Sequence, residues 1–455
     1  MEVSMTGLYL SCPLWKQICK MTKLTFSERF LGYSLQAHHH HMRRSQRKKQ
    51  SLTSKTPNLQ SNARRVIAIP ELLALVVYEL DSKERRKLLR VSKQIFHSVG
   101  PTVWKSVPRL ELVLQLIKGA RVEIGCSTAP YKYQFMTRFQ SNLDLTRYNI
   151  YAPWVQELEI YDGYYQEIIN PDPFLAALDS RPPLPNLRRL TASTSAPIDG
   201  VDLMNFFNMF ISPSLTEIRT IIPKEGFPQI SSSRVPSSSV PAFLENINET
   251  CPEIEVLEFY LETPCQSNWS KRYIPSDRVL SILASFVNLR SFSSNTYILE
   301  SPTFSVLGQL PRLESLGIRG SPQELTALDK PLSVPKNWFP VLKDLRLYDV
   351  DPEDIQTLWK QPTIVKKLVS VLIQTDDTIR RYAHDHPLHG QNWVSPFLEA
   401  LPRLSPHLQD IVFCMGDLDD RVEIPRGHWG YLEGEEGIYF AFHHYRAALF
   451  RRRVL

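Results

Sequence analysis

The apolar positions of residues 153–415 follow one recurring pattern. An apolar anchor is followed by a second apolar residue three positions later and usually by a third two positions beyond it. Nine segments fit, with first anchors at Val155, Leu187, Leu215, Ile254, Leu289, Leu313, Leu342, Val365 and Leu408. Their spacings of 32, 28, 39, 35, 24, 29, 23 and 43 residues are typical of repeat proteins, whose units bury their apolar faces by stacking. The pattern predicts a solenoid.

Helix-period stretches precede most of these segments, from DPFLAAL in the second unit to SPFLEAL in the last. A proline then interrupts the helical pattern and favours an extended path. These prolines are Pro185, Pro213, Pro252, Pro311 and Pro340. Right-handed crossovers would return each strand beside the previous one, so we expect an α/β fold with a parallel sheet on the concave side and helices outside. The alternative is an ordinary α/β domain with scattered LxxL matches.

The repeated segments resemble the leucine-rich repeat family, whose LxxLxL core stands here as LESLGI and LKDLRL. The position eight residues after the first anchor, where that family often has Asn or Cys, holds other residue types in the clearer units. We therefore expect divergent repeats without a regular asparagine ladder.

A second unit precedes the repeats, at residues 66–107. Leu72, Val76 and Leu80 form one helical stripe, and Asp81 or Ser82 can cap a following helix. Three short helices are predicted, with too little core for high independent stability. A partner or the next domain is expected to complete them. The alternative is that these helices only cap the exposed end of the solenoid.

This unit resembles the F-box. The family's opening stands here as Pro70 to Leu72 with Leu80 and Asp81, its middle as Val91 to Lys93, and its end as Val103 to Val107. The resemblance implies docking onto a Skp-type linker of a cullin ubiquitin ligase. The adaptor-binding residues it implies are Pro70, Leu72, Leu73, Val76, Leu88, Val91 and Trp104. Arg85 and Arg86 stand where the family has apolar residues, which predicts reduced linker affinity.

Side-chain alternation along the predicted strands selects a candidate substrate surface. If the residues three and five positions after each anchor point into the core, those four and six positions after it face outward. Tyrosine and arginine recur at these outward positions, and both are enriched among the energetic anchors of protein interfaces. The predicted substrate-reading set is Tyr161, Tyr260, Arg319, Arg346 and Tyr348. A merely solvated strand row is the alternative.

Charge divides the chain unevenly. Residues 1–65 carry twelve Lys or Arg and two acids, whereas the remainder carries 41 bases and 45 acids. The folded part is thus not a general polyanion binder. The basic segment is predicted to be a disordered, solvated tail, with a nuclear import signal or a nucleic-acid contact as alternatives.

Candidate chemistry is sparse. The chain has none of the GxSxG, GxxxxGK, HExxH or GxGxxG motifs. His384, Asp385, His386 and His389 fall in HDHPLHG, which we interpret as a surface loop rather than a metal or hydrolase site. Six cysteines without a CxxC pair suggest free thiols, and no apolar run reaches 18 residues. We expect no cofactor or metal, no membrane span, and a cytoplasmic or nuclear location.

The predicted organisation has five parts. These are a basic tail at 1–65, an F-box-like unit at 66–107, a connector at 108–152, the repeat solenoid at 153–415, and a C-terminal cap and tail at 416–455. The order of the two resemblances implies a non-enzymatic substrate receptor of a ubiquitin ligase, similar to those of large fungal families. The expected partners are the Skp-type linker with its cullin core and an unidentified protein substrate. The alternative is a repeat scaffold without ligase attachment.

Overall fold

The structure, a computed structural model, describes residues 69–126, 133–160, 164–192, 200–220, 234–261, 273–320, 327–328, 332–376, 393–416 and 447–453. The chain divides into two units, Met1–Val66 and Ile67–Leu455, and all described residues lie in the second.

The α-helices of the described residues are numbered here in chain order. They are α1 (Pro70–Glu79), α2 (Ser82–Leu88), α3 (Lys93–Trp104), α4 (Glu111–Leu114), α5 (Tyr148–Tyr151), α6 (Asp172–Ala177), α7 (Gly200–Phe210), α8 (Val240–Thr250), α9 (Asp277–Ser285), α10 (Ser301–Gly308), α11 (Pro352–Trp359), α12 (Pro362–Val365) and α13 (Val394–Leu404). Short 3-10 turns cover Ala152–Trp154, Ser237–Ser239 and Thr296–Leu299.

The strands are numbered in the same way. They are β1 (Ser106–Val107), β2 (Lys118–Cys126), β3 (Tyr133–Asp144), β4 (Glu157–Ile160), β5 (Tyr164–Ile169), β6 (Arg189–Ala192), β7 (Glu217–Arg219), β8 (Arg234–Val235), β9 (Val256–Glu258), β10 (Tyr260–Leu261), β11 (Ser291–Asn295), β12 (Ser315–Arg319), β13 (Asp344–Tyr348), β14 (Ser370–Asp376), β15 (Asp410–Gly416) and β16 (Ala447–Arg453).

One long sheet organises the described residues. Its strand order is β1-β4-β6-β7-β9-β11-β12-β13-β14-β15-β16. Every neighbouring pair from β1 to β15 is parallel, and β16 closes the edge antiparallel to β15. Ten strands therefore form a parallel sheet in chain order, which confirms the α/β class and the predicted parallel pairing.

Local sequence signals account for the helix boundaries. Ser276 caps α9 by accepting a hydrogen bond from the Val279 amide at 3.4 Å, and Asp351 caps α11 through the Glu353 amide at 2.8 Å. All seven helix-period stretches preceding the strands form helices, α6 to α11 and α13. The interrupting prolines lie exposed between helix and strand, where a missing amide hydrogen costs little.

The face of the sheet that meets the helices carries the predicted anchors. Residues three and five positions after the first anchor are buried in eight of the nine segments, all except the one anchored at Val365. The pairs are Leu158 and Ile160, Leu190 and Ala192, Ile218 and Thr220, Leu257 and Phe259, Phe292 and Ser294, Leu316 and Ile318, Leu345 and Leu347, and Ile411 and Phe413. Most of them join helix residues in one continuous apolar core.

A row of shared carbonyls fixes the phase of successive units. In the seven units anchored from Val155 to Leu342, the carbonyl that follows the first anchor accepts hydrogen bonds from two consecutive amides at the start of the next strand. Gln156, for example, accepts from Arg188 at 2.7 Å and Arg189 at 2.9 Å. The row begins at Lys105, which accepts from Gln156 and Glu157. Trp104 and Val107 thus occupy anchor positions, and the sheet begins inside the predicted 66–107 unit.

One predicted anchor is out of phase. Ser370 pairs with Asp344, which makes Leu368 rather than Val365 the equivalent of Leu342. Val365 is the last residue of the short helix α12, and Leu368 follows it by three residues. This three-residue spacing therefore arises at the end of a helix and not from the strand pattern. Val371 and Ile373 are then the buried strand residues of this unit.

The predicted connector at 108–152 contains two strands of a second sheet. Its order is β2-β3-β5, with β2 antiparallel and β5 parallel to β3. Phe139 of β3 is buried and stacks on Phe174 of α6 with ring centroids 5.0 Å apart. This segment therefore packs into the main core.

Candidate interaction surfaces

The second face of the long sheet is lined by polar side chains. Alternation along each strand places residues two, four and six positions after the first anchor on this face, opposite the core. The register brings equivalent positions side by side, as in Ser315 beside Asp344, Gly317 beside Arg346, and Arg319 beside Tyr348. We call it the polar sheet face.

An ion-pair ladder occupies the polar sheet face across β4, β6 and β7. The Arg189 guanidinium lies 2.7 Å from Glu217 and 3.7 Å from Glu157, and Arg219 lies 3.1 Å from Glu217. Burial opposes ionisation of Glu217, but the two guanidinium groups outweigh burial and lower its pKa. The ladder therefore satisfies its own charges within the sheet.

Arginine and tyrosine side chains form a cluster at the centre of this face. The Arg319 guanidinium carbon lies 5.5 Å from the centroid of the Tyr260 ring, and Arg319 pairs in register with Tyr348 on the adjacent strand. Arg346 donates to Asp344 at 2.7 Å. We define Tyr260, Arg319, Arg346 and Tyr348 as the Arg–Tyr cluster. The structure thus brings together four of the five predicted substrate-reading residues; Tyr161 lies outside the described residues.

The expectation that these side chains are solvent-exposed is wrong for the tyrosines. Tyr260 is 2% exposed and Tyr348 is 8% exposed. The Tyr260 hydroxyl hydrogen-bonds with Ser293, and the Arg319 guanidinium covers the Tyr260 ring. Burial, together with Glu258, raises the pKa of Tyr260, and burial raises that of Tyr348 to about 12. Both phenols are therefore neutral at physiological pH.

Gly317 gives Ser293 the space it occupies in this cluster. A Cβ atom at Gly317 would lie 2.3 Å from the Ser293 Oγ, far inside contact distance.

The Arg346 guanidinium remains partly accessible, with 38% of its side chain exposed, and Asp344 also accepts from Ser315 at 2.7 Å. Partly exposed guanidinium groups that lie beside neutral tyrosines can donate hydrogen bonds to carboxylates or carbonyls of a bound protein.

Asp344 was missed in the sequence prediction. It stands two positions after its anchor, and the alternation that selects the fourth and sixth positions selects the second as well.

The first three helices form a small unit with its own apolar centre. Leu73 and Val77 of α1 pack with Ile95 and Val99 of α3, and the flanking residues Leu88, Leu89 and Val103 are partly buried. Of the two predicted caps, Asp81 and Ser82, it is Asp81 that caps α2, by accepting a hydrogen bond from the Glu84 amide at 2.7 Å.

Arg85 has a role inside this unit. Its Nε donates to the Val77 carbonyl and its Nη2 to the Tyr78 carbonyl, each at 2.8 Å. These carbonyls lie in the last turn of α1, where a cation is favourable. The charge that seemed out of place in an apolar interface therefore joins α2 to α1.

Apolar side chains on the surface of this unit point to solvent. We define the helical patch as Ile69, Leu72, Leu75, Val76, Tyr78 and Val91, which are 43%, 38%, 64%, 46%, 77% and 62% exposed. They make up six of the eleven exposed large hydrophobic residues in the described part of the chain. Exposed apolar residues that occur together on one small unit mark interaction sites more often than single scattered residues do.

The seven predicted adaptor-binding residues do not all lie on one surface. Leu72, Val76 and Val91 belong to the helical patch, and Pro70 begins α1. Leu73 and Leu88 pack in the centre of the unit instead. Trp104 is half-buried, with its ring centroid 4.6 Å from that of Tyr151, in the junction between helices and sheet.

Comparisons with known proteins give no family: no protein-family model matches the chain, and no curated protein does. Among the described residues, no group of three or more His, Cys, Asp or Glu side chains could hold a metal ion. The HDHPLHG segment lies outside those residues. In the same part of the chain, none of the helices has the length and apolar character needed to cross a bilayer.

Proposed function

We propose that this protein is a non-catalytic substrate receptor of a Skp/cullin/F-box-type ubiquitin ligase. Residues 66–107 act as an F-box-like linker-binding unit, and the long sheet with its helices acts as a divergent leucine-rich-repeat solenoid that binds a protein substrate. Such a receptor performs no bond chemistry. It raises the effective concentration of the substrate near the ligase.

The helical patch is the observation that carries the proposal. Six apolar side chains remain exposed on a unit that has only four fully buried apolar residues of its own. A small unit of this kind gains most from burying its surface against a partner. Leu72, Val76 and Val91 stand at positions that the F-box resemblance assigns to the linker.

The regularity of the sheet supports the solenoid part of the proposal. Strands follow one another in chain order, and the shared-carbonyl row repeats from Lys105 to Val369. Stacked units with parallel strands and intervening helices are the expected architecture of leucine-rich repeats. The Arg–Tyr cluster then supplies interface-type residues on the polar sheet face.

Linker binding is tested by placing charge in the helical patch. The double variant Leu72→Asp/Val76→Asp should abolish co-purification with a recombinant Skp-type linker, because docking would bury two unpaired carboxylates at a cost of several kcal/mol. Binding is measured by size-exclusion chromatography and by titration calorimetry.

A matched control separates docking from general surface damage. Ile274→Asp/Val287→Asp changes two residues that are 76% and 54% exposed elsewhere on the chain, and should leave linker binding intact. If the wild-type chain does not bind the linker, or if both double variants bind it equally, the ligase proposal fails and a repeat scaffold without ligase attachment remains.

Substrate reading is tested at the accessible part of the Arg–Tyr cluster. Arg319→Ala/Arg346→Ala should lose a protein captured in cells by wild type, since both guanidinium groups are partly exposed donors. Arg290→Ala/Arg312→Ala removes two exposed arginines away from the cluster and should retain that protein. A true ligase substrate should also accumulate in cells that carry only Leu72→Asp/Val76→Asp. Equal capture by both arginine variants would move the binding site off the cluster.

A further inference from the structure

The turns that enter the last three parallel strands carry basic residues and no acidic ones. Residues 332–343, 360–369 and 402–409 contain no Asp or Glu. Their charged or titratable residues are Lys336, Lys343, Lys360, Lys366, Lys367, Arg403 and His407. All seven are exposed. Among the earlier turns, those before β9 and β12 carry the acids Glu253, Glu255 and Glu314, whereas those before β4, β7 and β11 carry no acid and at most one arginine each.

This basic edge stands out because the rest of the folded part is slightly acidic. Residues 66–455 contain 41 Lys or Arg and 45 Asp or Glu. The exposed lysines at this edge repel one another, and these turns contain no acidic side chain that would offset the repulsion. A local excess of one charge on an otherwise balanced protein is a feature that a ligand of opposite charge would stabilise.

A groove runs across the same three turns at the edge of the sheet where β13, β14 and β15 begin. Its volume is about 640 Å³, and Lys343, Lys367 and His407 line it. In the middle unit the short helix α12 precedes the turn, and Lys366 stands where the flanking units have Pro340 and Pro406. A volume of this size accommodates a peptide segment or a small molecule.

The remaining lining of the groove is apolar. It consists of Pro340, Val341, Leu342, Val369, Pro406 and Leu408, with Gln409 as an uncharged polar residue. Val341 is 37% exposed. Apart from the His407 imidazole, the lining has no aromatic ring on which a base could stack, and it has no arginine for bidentate phosphate binding; both are common in nucleic-acid and phosphopeptide sites. Lysines around an apolar floor fit carboxylates alternating with apolar side chains.

We propose that this groove docks an acidic, partly apolar peptide segment of a partner protein. Lys343 and Lys367 contact its carboxylates, and Val341 with Leu408 receives an apolar side chain between them. Parallel strands lie about 4.8 Å apart, so three units span about 10 Å, the width of one extended peptide. This site is separate from the polar sheet face and does not depend on linker docking.

The test is a binding measurement on the full-length chain with a defined probe. A fluorescein-labelled peptide of four Glu-Glu-Leu repeats is titrated by anisotropy and compared with Gln-Gln-Leu and Glu-Glu-Gly peptides of the same length. Glu-Glu-Leu should bind most tightly, because only this peptide carries both charge and apolar side chains. Its affinity should fall as salt rises.

Variants then locate the binding. Lys343→Glu/Lys367→Glu should weaken Glu-Glu-Leu binding about tenfold or more, since two attractive contacts become repulsive. Lys83→Glu/Lys87→Glu makes the same charge change at two exposed positions on α2 and should have little effect. Because Lys367 also donates to the Phe339 carbonyl at 3.4 Å, Val341→Ser is a second variant that leaves this hydrogen bond intact and should still weaken binding.

Several results would overturn the proposal. Equal losses in the two lysine variants would assign binding to overall charge, including the basic tail that all variants retain. If the wild-type chain does not bind the Glu-Glu-Leu peptide, the groove is not a docking site for acidic peptides. Tighter binding of a single-stranded oligonucleotide that is lost in Lys343→Glu/Lys367→Glu would make the partner a nucleic acid.

Discussion

The ion pair between Arg189 and Glu217 links two strands at the level of single residues. Glu217 is 21% exposed and receives Arg189 at 2.7 Å and Arg219 at 3.1 Å. The lowered pKa of Glu217 means that its carboxylate is more favourable in the folded than in the unfolded chain. Its stabilising effect is complete above the ordinary pKa of 4.5 and is lost as the pH falls through the lower, folded value.

We predict that Glu217→Gln lowers the free energy of unfolding by about 1 to 2 kcal/mol at pH 7. The difference from wild type should shrink below pH 4.5, where the wild-type carboxylate also becomes neutral. Urea unfolding at several pH values measures it. Glu255→Gln is the control, since Glu255 is 48% exposed and lies 3.9 Å from Arg290. If the difference in free energy of unfolding between wild type and Glu217→Gln does not change with pH, the ion-pair explanation is contradicted.

The tyrosines of the Arg–Tyr cluster show what residue-level sequence reasoning misses. Alternation correctly assigned Tyr348 to the polar sheet face, but it describes direction and not coverage. Whether an outward side chain is exposed depends on its neighbours, here Arg319 over the Tyr260 ring and Ser293 at the Tyr260 hydroxyl. Truncation of buried Tyr260 to alanine would cost several kcal/mol, so the test of this surface uses the arginines instead.

At the scale of elements, helix and strand positions were largely predictable because local signals agreed. Apolar periodicity, capping residues and interrupting prolines all marked the same boundaries, as at Ser276 for α9 and Asp351 for α11. The eighth unit shows the limit of this reasoning. Val365 and Leu368 are both buried, and a three-residue spacing suits a helix end as well as the anchor pattern. Only the pairing of Ser370 with Asp344 fixes the phase.

The hairpin of β2 and β3 was missed although its signal was present. Ala120 and Val122 alternate with Arg121 and Glu123, a period of two that is typical of a half-buried strand. This period of two differs from the three-residue LxxL spacing that marks the strands of the long sheet. The basic groove was missed for a different reason, because its lysines come from three turns that are distant in sequence and adjacent only in the sheet.

Three aromatic side chains connect the helical unit to the sheet and couple the two parts of the molecule. Phe96 of α3 lies 5.7 Å from Tyr151 and 5.3 Å from Trp154 between ring centroids. Both partners precede β4, which pairs with β1 at the end of the helical unit. A linker bound to the helical patch would therefore be held at a defined position relative to the sheet.

Gly100 allows this junction to close. A Cβ atom at Gly100 would lie 2.4 Å from the Trp154 ring, although Gly100 is inside α3, where alanine is the better helix former. Helix propensity alone predicts that Gly100→Ala stabilises the protein by about 1 kcal/mol. Overpacking of the buried Gly100 position against the half-buried Trp154 ring costs about 1 to 3 kcal/mol, so the steric effect should win.

We therefore predict that Gly100→Ala destabilises the helical unit and increases amide hydrogen exchange in residues 70–104, while strands β11, β12 and β13 of the long sheet keep their protection. Ser98→Ala changes an exposed residue of the same helix and should not raise exchange. Exchange measured by mass spectrometry on both variants distinguishes local loosening from global unfolding. If Gly100→Ala matches or exceeds wild-type stability, Trp154 moves aside without cost, and the junction does not hold the helices at a fixed position on the sheet.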